Sequence, residues 1–444
     1  MISISGLLII LFIIFFIFSF IKVLKIGDDL FATFYFLLFI YTIFTQIAYV
    51  FVPDLAVFAK VFFGSHLFFY YWLFVSLSFV ATYWLFLILD ARRKKFGVQL
   101  LQSVNLNRHK VRFPEGIYFS VYGFYLMTLT WIFINSLDKI QYAKISDIWI
   151  GYIINLQPYF LLIMYMKLRG TEKSLKKIVS RILFIFSFSL FLIISFRAGQ
   201  RLLGVSFLIG LTTFEYSPFL DTLKKIRTRT IILVAIGTFT FLFLASSIVA
   251  MRDKYGGAMP LSSIGEIFES TNNSGEFTAE KFLYNDYFAP SSLIFVSIYW
   301  DWIDPAEVFK SNLYNSIVFL GYPYLQNTLS EVANPNYNYS RSESYAYYIF
   351  TEGFNFAGWF GFLYNALIIN LGFGLWRRYM NSNDVYFNRY SSALLSVLLI
   401  SIVRGQSIHF FRSLYLVIFP SIIMLSLSLG YFPSWPKRLV KRNL

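Results

Sequence analysis
The sequence predicts an all-α polytopic membrane protein with about 11 transmembrane helices and one large external loop of short helices. Three observations lead there. The chain of 444 residues is 57% hydrophobic and only 14% charged, too little polar surface for a dissolved protein of that size. Apolar runs of roughly twenty residues recur along it, each long enough to cross a hydrocarbon core. Its basic residues gather in alternate short connectors between those runs, the pattern that orients a chain in a bilayer.

The first run, Ile4 to Ile21, has no basic stretch before it and no small-residue cleavage site after it. Lys22 and Lys25 follow it instead, so it reads as a retained span entered from outside. Further spans are expected near 30–52, 67–89, 116–137, 147–166, 182–196, 202–214 and 230–250. The run at 202–214 is short and reads as tilted or partly re-entrant. Spanning resumes near 354–376, 390–403 and 413–430. The organisation is therefore N-terminal transmembrane helices over 1–250, a large external loop over 251–353, and C-terminal transmembrane helices with an inner tail over 354–444. No internal repeat is evident, which weighs against an inverted-repeat transporter.

With the N-terminus outside and the C-terminus inside, the inner connectors hold 26 of the 38 lysines and arginines. The outer ones hold 12, of which seven lie in short connectors. The blocks Arg92-Arg93-Lys94-Lys95 and Lys173-Ser174-Leu175-Lys176-Lys177 anchor the inner side. The net charge of +15 is thereby absorbed by topology, and no nucleic-acid partner is expected.

The external loop differs in composition. It carries twelve acidic residues against five basic ones, with Asn, Ser and Pro between aromatics. Loops this long are functional or disordered, and the apolar stretch Leu293–Tyr299 argues for folding. Ser263-Ile264-Gly265-Glu266 resembles a capping box, and Asp304-Pro305 an N-cap followed by proline at the first helical position. Short helices over the outer mouth of the bundle are expected.

There is no cysteine, so disulfides, thiolate metal sites and cysteine nucleophiles are excluded. The three histidines, His66, His109 and His409, are scattered, and no ligand motif surrounds them. Neither metal nor cofactor is expected.

The informative residues are arginines on the outer side. Arg197 and Arg201 lie four apart between two apolar runs, a spacing that would put both on one helical face. Arg404 and Arg412 bracket Gly405-Gln406-Ser407-Ile408-His409-Phe410-Phe411. Arg252 opens the long loop and Arg341 lies late in it. Guanidinium keeps its charge and grips phosphate through two donors, so these six are candidate pyrophosphate ligands. The alternative is that each snorkels to lipid headgroups. Glu352, where the loop meets the next span, and His409 are candidate catalytic acid–base groups; a helix-start or capping role is the alternative for each. Tyr337, Tyr339, Tyr345, Tyr347 and Tyr348 form either a sugar-stacking platform or an interfacial belt.

Arg197-Ala-Gly-Gln-Arg201, Glu352-Gly-Phe-Asn-Phe-Ala-Gly358 and the stretch Arg404 to Arg412, set around a long external loop in a chain rich in Phe, Ile, Leu and Tyr, resemble the bacterial O-antigen polymerases of the Wzy type. The resemblance covers the whole chain in topology and short stretches in residues. It implies a membrane-embedded glycosyltransferase of GT-C-like fold, metal-independent, in the bacterial inner membrane. It further implies a periplasmic loop, undecaprenyl-pyrophosphate-linked glycans and membrane lipid as partners, and a chain-length regulator protein. Its reaction moves the growing glycan onto the incoming repeat unit. Two rivals remain. O-antigen ligases place a histidine in the large external loop, and residues 251–353 contain none. A lipid-linked oligosaccharide flippase shares a cationic cavity but has little use for a hundred-residue loop.

Overall fold
The structure is a computed structural model that describes residues 4–51, 64–95, 120, 122–130, 148–170, 175–197, 201–223, 294, 297, 304–316, 348–380, 385–405, 407 and 410–411. Among these residues helix dominates and no strand occurs. The helices are α1 (Ile4–Ile26), α2 (Asp29–Phe51), α3 (Gly64–Lys95), α4 (Ile148–Gly170), α5 (Leu175–Arg197), α6 (Arg201–Tyr216) and the short α7 (Phe219–Leu223). They continue with α8 (Pro305–Ser316), α9 (Ile349–Ala357), α10 (Gly361–Met380), α11 (Val385–Ser396) and α12 (Leu399–Val403).

Three helical stretches are long and apolar enough to cross a membrane: Ser5–Ile26, Phe69–Arg92 and Ile349–Arg377. Asp29–Ile43 in α2, Ile178–Leu192 in α5 and Leu203–Tyr216 in α6 are shorter apolar stretches. The protein is thus an all-α membrane protein. The expected spans at 230–250 and 413–430 lie outside the described residues, and of 116–137 only part is described.

Local chemistry explains the element ends. Gly27, at φ +84°, takes the left-handed turn that closes α1, and its N–H reaches the Leu24 carbonyl at 3.1 Å. Asp28 then caps α2, its Oδ1 accepting from the Phe31 N–H at 3.0 Å. Asp304 does the same for α8, accepting from the Ala306 N–H at 2.8 Å with Pro305 at the first helical position. That cap was expected from sequence. The span expected to begin at 354 begins instead at Ile349 and is broken: Gly358, at φ +55°, ends α9, and one turn of 3-10 helix leads into α10. Helix α9 thus starts five residues before the apolar run at 354. Gly353 and Gly361 make the break compact, since a side chain on either would strike the backbone of the other.

Two apolar clusters fill the bundle. One joins α1, α2, α3, α9, α10 and α12 through rings such as Phe16 and Phe39, stacked at 3.7 Å, and Phe31 and Phe86, at 4.0 Å. The other joins α4, α5, α6 and α11 with residues 122–130. Between α3 and α10, Asn365 donates to the Ser78 hydroxyl and Asn370 to the Thr82 carbonyl, polar links of the kind that fix helix pairs where lipid offers no partner.

The basic end of the bundle holds buried charges. Asp28 pairs with Arg377, whose guanidinium lies 5.2–5.7 Å from the ring centres of Phe31, Phe86 and Phe373. Asp29 accepts from the Ser217 hydroxyl and the Phe219 N–H. Arg389 donates to the carbonyls of Phe214 and Glu215, and Glu215 takes a two-pronged contact from Arg169 at 2.7 Å. Sequence reasoning used most of these arginines only to set orientation.

Candidate functional site
The opposite end carries Glu352. Helix α2 connects the two ends: Asp29 starts it beside Ser217, and Thr42, thirteen residues or about 20 Å further along, bonds the Tyr348 hydroxyl at 2.8 Å. Tyr348 opens α9, so Glu352 sits one turn above that contact.

Glu352 is fully buried. Its Oε1 accepts from Asn312 Nδ2 at 2.7 Å, from the Ser407 hydroxyl at 2.6 Å and from the Tyr364 hydroxyl at 2.5 Å; its Oε2 accepts from the Ser407 N–H at 2.7 Å. The carboxylate thereby ties together the loop helix α8, the broken span α9–α10 and the segment after α12. An acceptor-only group surrounded by donors is the arrangement that makes a buried carboxylate tolerable. Tyr364 and Asn312 are half-buried, and Asn312 Nδ2 also reaches the Tyr364 oxygen at 3.3 Å. They stand between Glu352 and the exterior, with the Tyr364 ring 4.6 Å from that of Phe356.

Arg404 ends α12, with its guanidinium 6.0 Å from the centre of the Tyr41 ring. It precedes Ser407 by three residues, which limits the Cα separation to roughly 11 Å. One short segment therefore carries both a candidate phosphate ligand and two of the donors to Glu352.

Arg197 and Arg201 are also at this end: Arg197 is the last residue of α5 and Arg201 the first of α6. The shared helical face expected from their four-residue spacing runs through 198–200, which lie outside the described residues. Tyr348 corrects one expectation: it is a buried core residue bonded to Thr42 and to the Leu38 carbonyl, so it belongs to no sugar platform. Arg252, Arg341, His409 and Arg412 lie outside the described residues, as do Tyr337, Tyr339, Tyr345 and Tyr347.

Asn312, Tyr364 and Ser407 were not singled out from sequence. Ser407 lies within the stretch Arg404–Arg412, and that was its signal; nothing in the sequence separates Asn312 or Tyr364 from the many similar residues around them. Among the described residues no group of three or more His, Asp or Glu comes together. No protein-family model, curated protein or solved structure matches the chain.

Proposed function
We propose that this chain is a membrane-embedded glycosyltransferase that polymerises undecaprenyl-pyrophosphate-linked oligosaccharide repeat units into O-antigen or a related surface polysaccharide. In this reading it works at the periplasmic face of the bacterial inner membrane, N-terminus outside and C-terminus inside. The observation that carries the reading is the buried Glu352 carboxylate, bonded to Ser407 three residues after Arg404 at the end of the bundle away from the basic connectors. Sugar transfer from a pyrophosphate needs a proton acceptor and fixed positive charge side by side, and this segment brings both.

In the reaction the bond between the anomeric carbon and the pyrophosphate oxygen breaks, and its electron pair leaves with the pyrophosphate. In this reading Arg404 holds that leaving group, joined by Arg197 and Arg201 and by the further cations that the sequence offers, Arg252, Arg341 and Arg412. The acceptor hydroxyl oxygen bonds to the anomeric carbon, and its proton must go to the protein. Glu352 is wholly buried, so the half-buried Tyr364 phenol meets the acceptor and relays: it takes the acceptor proton as its own passes to Oε1, along a hydrogen bond already formed. His409, two residues beyond Ser407, is the second proton carrier in this scheme. The proton then leaves with the released pyrophosphate, which balances the step.

The test is deletion of the gene in its host, with the surface polysaccharide separated on a gel. Polymerase loss leaves single repeat units attached to the lipid anchor. Loss of every unit would instead mark a flippase, and loss of attachment with polymer still assembled would mark a ligase.

A further inference from the structure
We infer that helix α8 lies in a lipid–water interface of the membrane, with Phe309 and Leu313 inserted among the lipids beside the broken span α9–α10. The inference rests on the chain being a membrane protein and not on the polymerase reading. Its basis is that α8 has three faces rather than two. Val308, Ser311 and Asn312 turn inward; the first two are fully buried, and Asn312 bonds Glu352. Glu307 and Lys310 pair with each other at 2.9 Å on an exposed face. Between these lie Phe309 and Leu313, four apart and so one above the other, with 59% and 50% of their surface exposed. A helix wholly in water has no reason to expose an apolar strip there, and one wholly in lipid has no place for the ion pair. A helix in the interfacial plane satisfies all three faces at once.

The neighbouring surface identifies lipid as the occupant. Helix α10 exposes Leu363, Leu367 and Leu371, spaced like one side of a helix, with Phe360 exposed above them. This is the surface expected of a span facing hydrocarbon, and Trp359 at its outer end is a residue that favours the headgroup level. Tyr364 borders this stripe, three residues before Leu367 and seven before Leu371, and it touches Asn312, three residues after Phe309. The Asn312–Tyr364 contact is therefore a seam with apolar surface on both sides, and the lipid-facing surface of α10 continues across it onto α8. Helix α8 would then sit about 5–10 Å below the headgroup boundary on its apolar side.

The chain has no cysteine, so single labels can be placed cleanly. Phe309→Cys, Leu313→Cys, Glu307→Cys and Lys310→Cys, each carrying an NBD fluorophore, are placed in full-length protein in phosphatidylcholine–phosphatidylglycerol vesicles. Leu367→Cys serves as the reference for hydrocarbon contact. Lipids bearing a shallow nitroxide should quench positions 309 and 313 at least about twofold more than 307 and 310, and should quench more strongly there than a deep nitroxide does. Water-like emission at 309 and 313 would overturn the inference. So would emission shielded from water yet untouched by lipid quenchers, which would mean that protein, from this chain or a second copy, covers the strip. An unquenched Leu367 label would remove the membrane reading and the inference with it.

Discussion

Glu352 is the residue at which bracing and chemistry can be separated by substitution. Glu352→Ala removes the acceptor for four hydrogen bonds, from Asn312, Tyr364 and twice from Ser407. The two hydroxyls can rotate away, but the buried Ser407 N–H cannot, and a void remains. Loss of one partner from such a network costs about 3–5 kcal/mol. Glu352→Gln keeps the shape. Its amide can turn its oxygen toward the Ser407 N–H, while the two hydrogens of its NH2 group face the two hydroxyls, which rotate to accept. The bond to the half-buried Asn312 is given up. That bond and the extra strength of a charged acceptor together cost about 2 kcal/mol. Reversible SDS-titrated unfolding should therefore rank Ala below Gln, with Gln between it and the parent protein. Polymer assembly from purified lipid-linked repeat units should fall in the Gln variant by roughly a hundred- to ten-thousandfold, because a primary amide cannot take the acceptor proton. An Ala variant as stable as the parent would refute the hydrogen-bond reasoning. A stable Gln variant within about threefold of parent activity would show that Glu352 only braces the site and is not the base.

Asp28→Asn leaves the buried Arg377 guanidinium among three rings without its carboxylate, and should cost about 3–5 kcal/mol in the same unfolding assay; adding Arg377→Met should recover part of that loss. Gly353→Ala drives a methyl into both Asn365 Oδ1 and the Gly361 carbonyl oxygen, so it should lose at least about 1–3 kcal/mol, whereas Gly374→Ala meets open space and should be neutral or slightly stabilising. Arg404→Ala should reduce polymerisation by roughly thirty- to a thousandfold with membrane levels unchanged, and Arg404→Lys should restore only part; full rescue by lysine would point to snorkelling instead. Cysteines at Ser274 and Asn336 should react with an impermeant thiol reagent in intact spheroplasts, and those at Ser103 and Ser174 only after permeabilisation; identical labelling at Ser103 and Ser274 would falsify the assigned orientation.

Much of the helical layout was legible because lipid imposes a simple rule: a segment that crosses must be apolar and must satisfy its own backbone. The runs read at 4–21, 30–52 and 67–89 correspond to α1, α2 and α3, and the Asp304–Pro305 cap is where α8 starts. The break at Gly358 was hidden because hydropathy averages over a window, and one glycine in the left-handed region barely changes the average. Site geometry was less legible. Glu352 was visible as an acid at a span boundary, but its donors come from positions 40, 55 and 12 residues away, and no local spacing predicts such a meeting. The Arg197–Arg201 spacing joins the last residue of α5 to the first of α6, and a helical periodicity is informative only within one element.

Arg389 has a consequence for how this bundle meets the bilayer. Helix α6 has 16 residues and is about 24 Å long, shorter than a hydrocarbon layer of roughly 30 Å. A helix that stops short would leave its last carbonyls facing lipid unless water were drawn inward to solvate them. The guanidinium of Arg389, presented by the neighbouring α11, supplies that hydration in solid form: two of its nitrogens lie within 2.6–2.8 Å of the Phe214 carbonyl, and one continues to the Glu215 carbonyl at 3.1 Å. The protein thus satisfies the foot of this short apolar helix from within, through a neighbouring side chain in place of solvent.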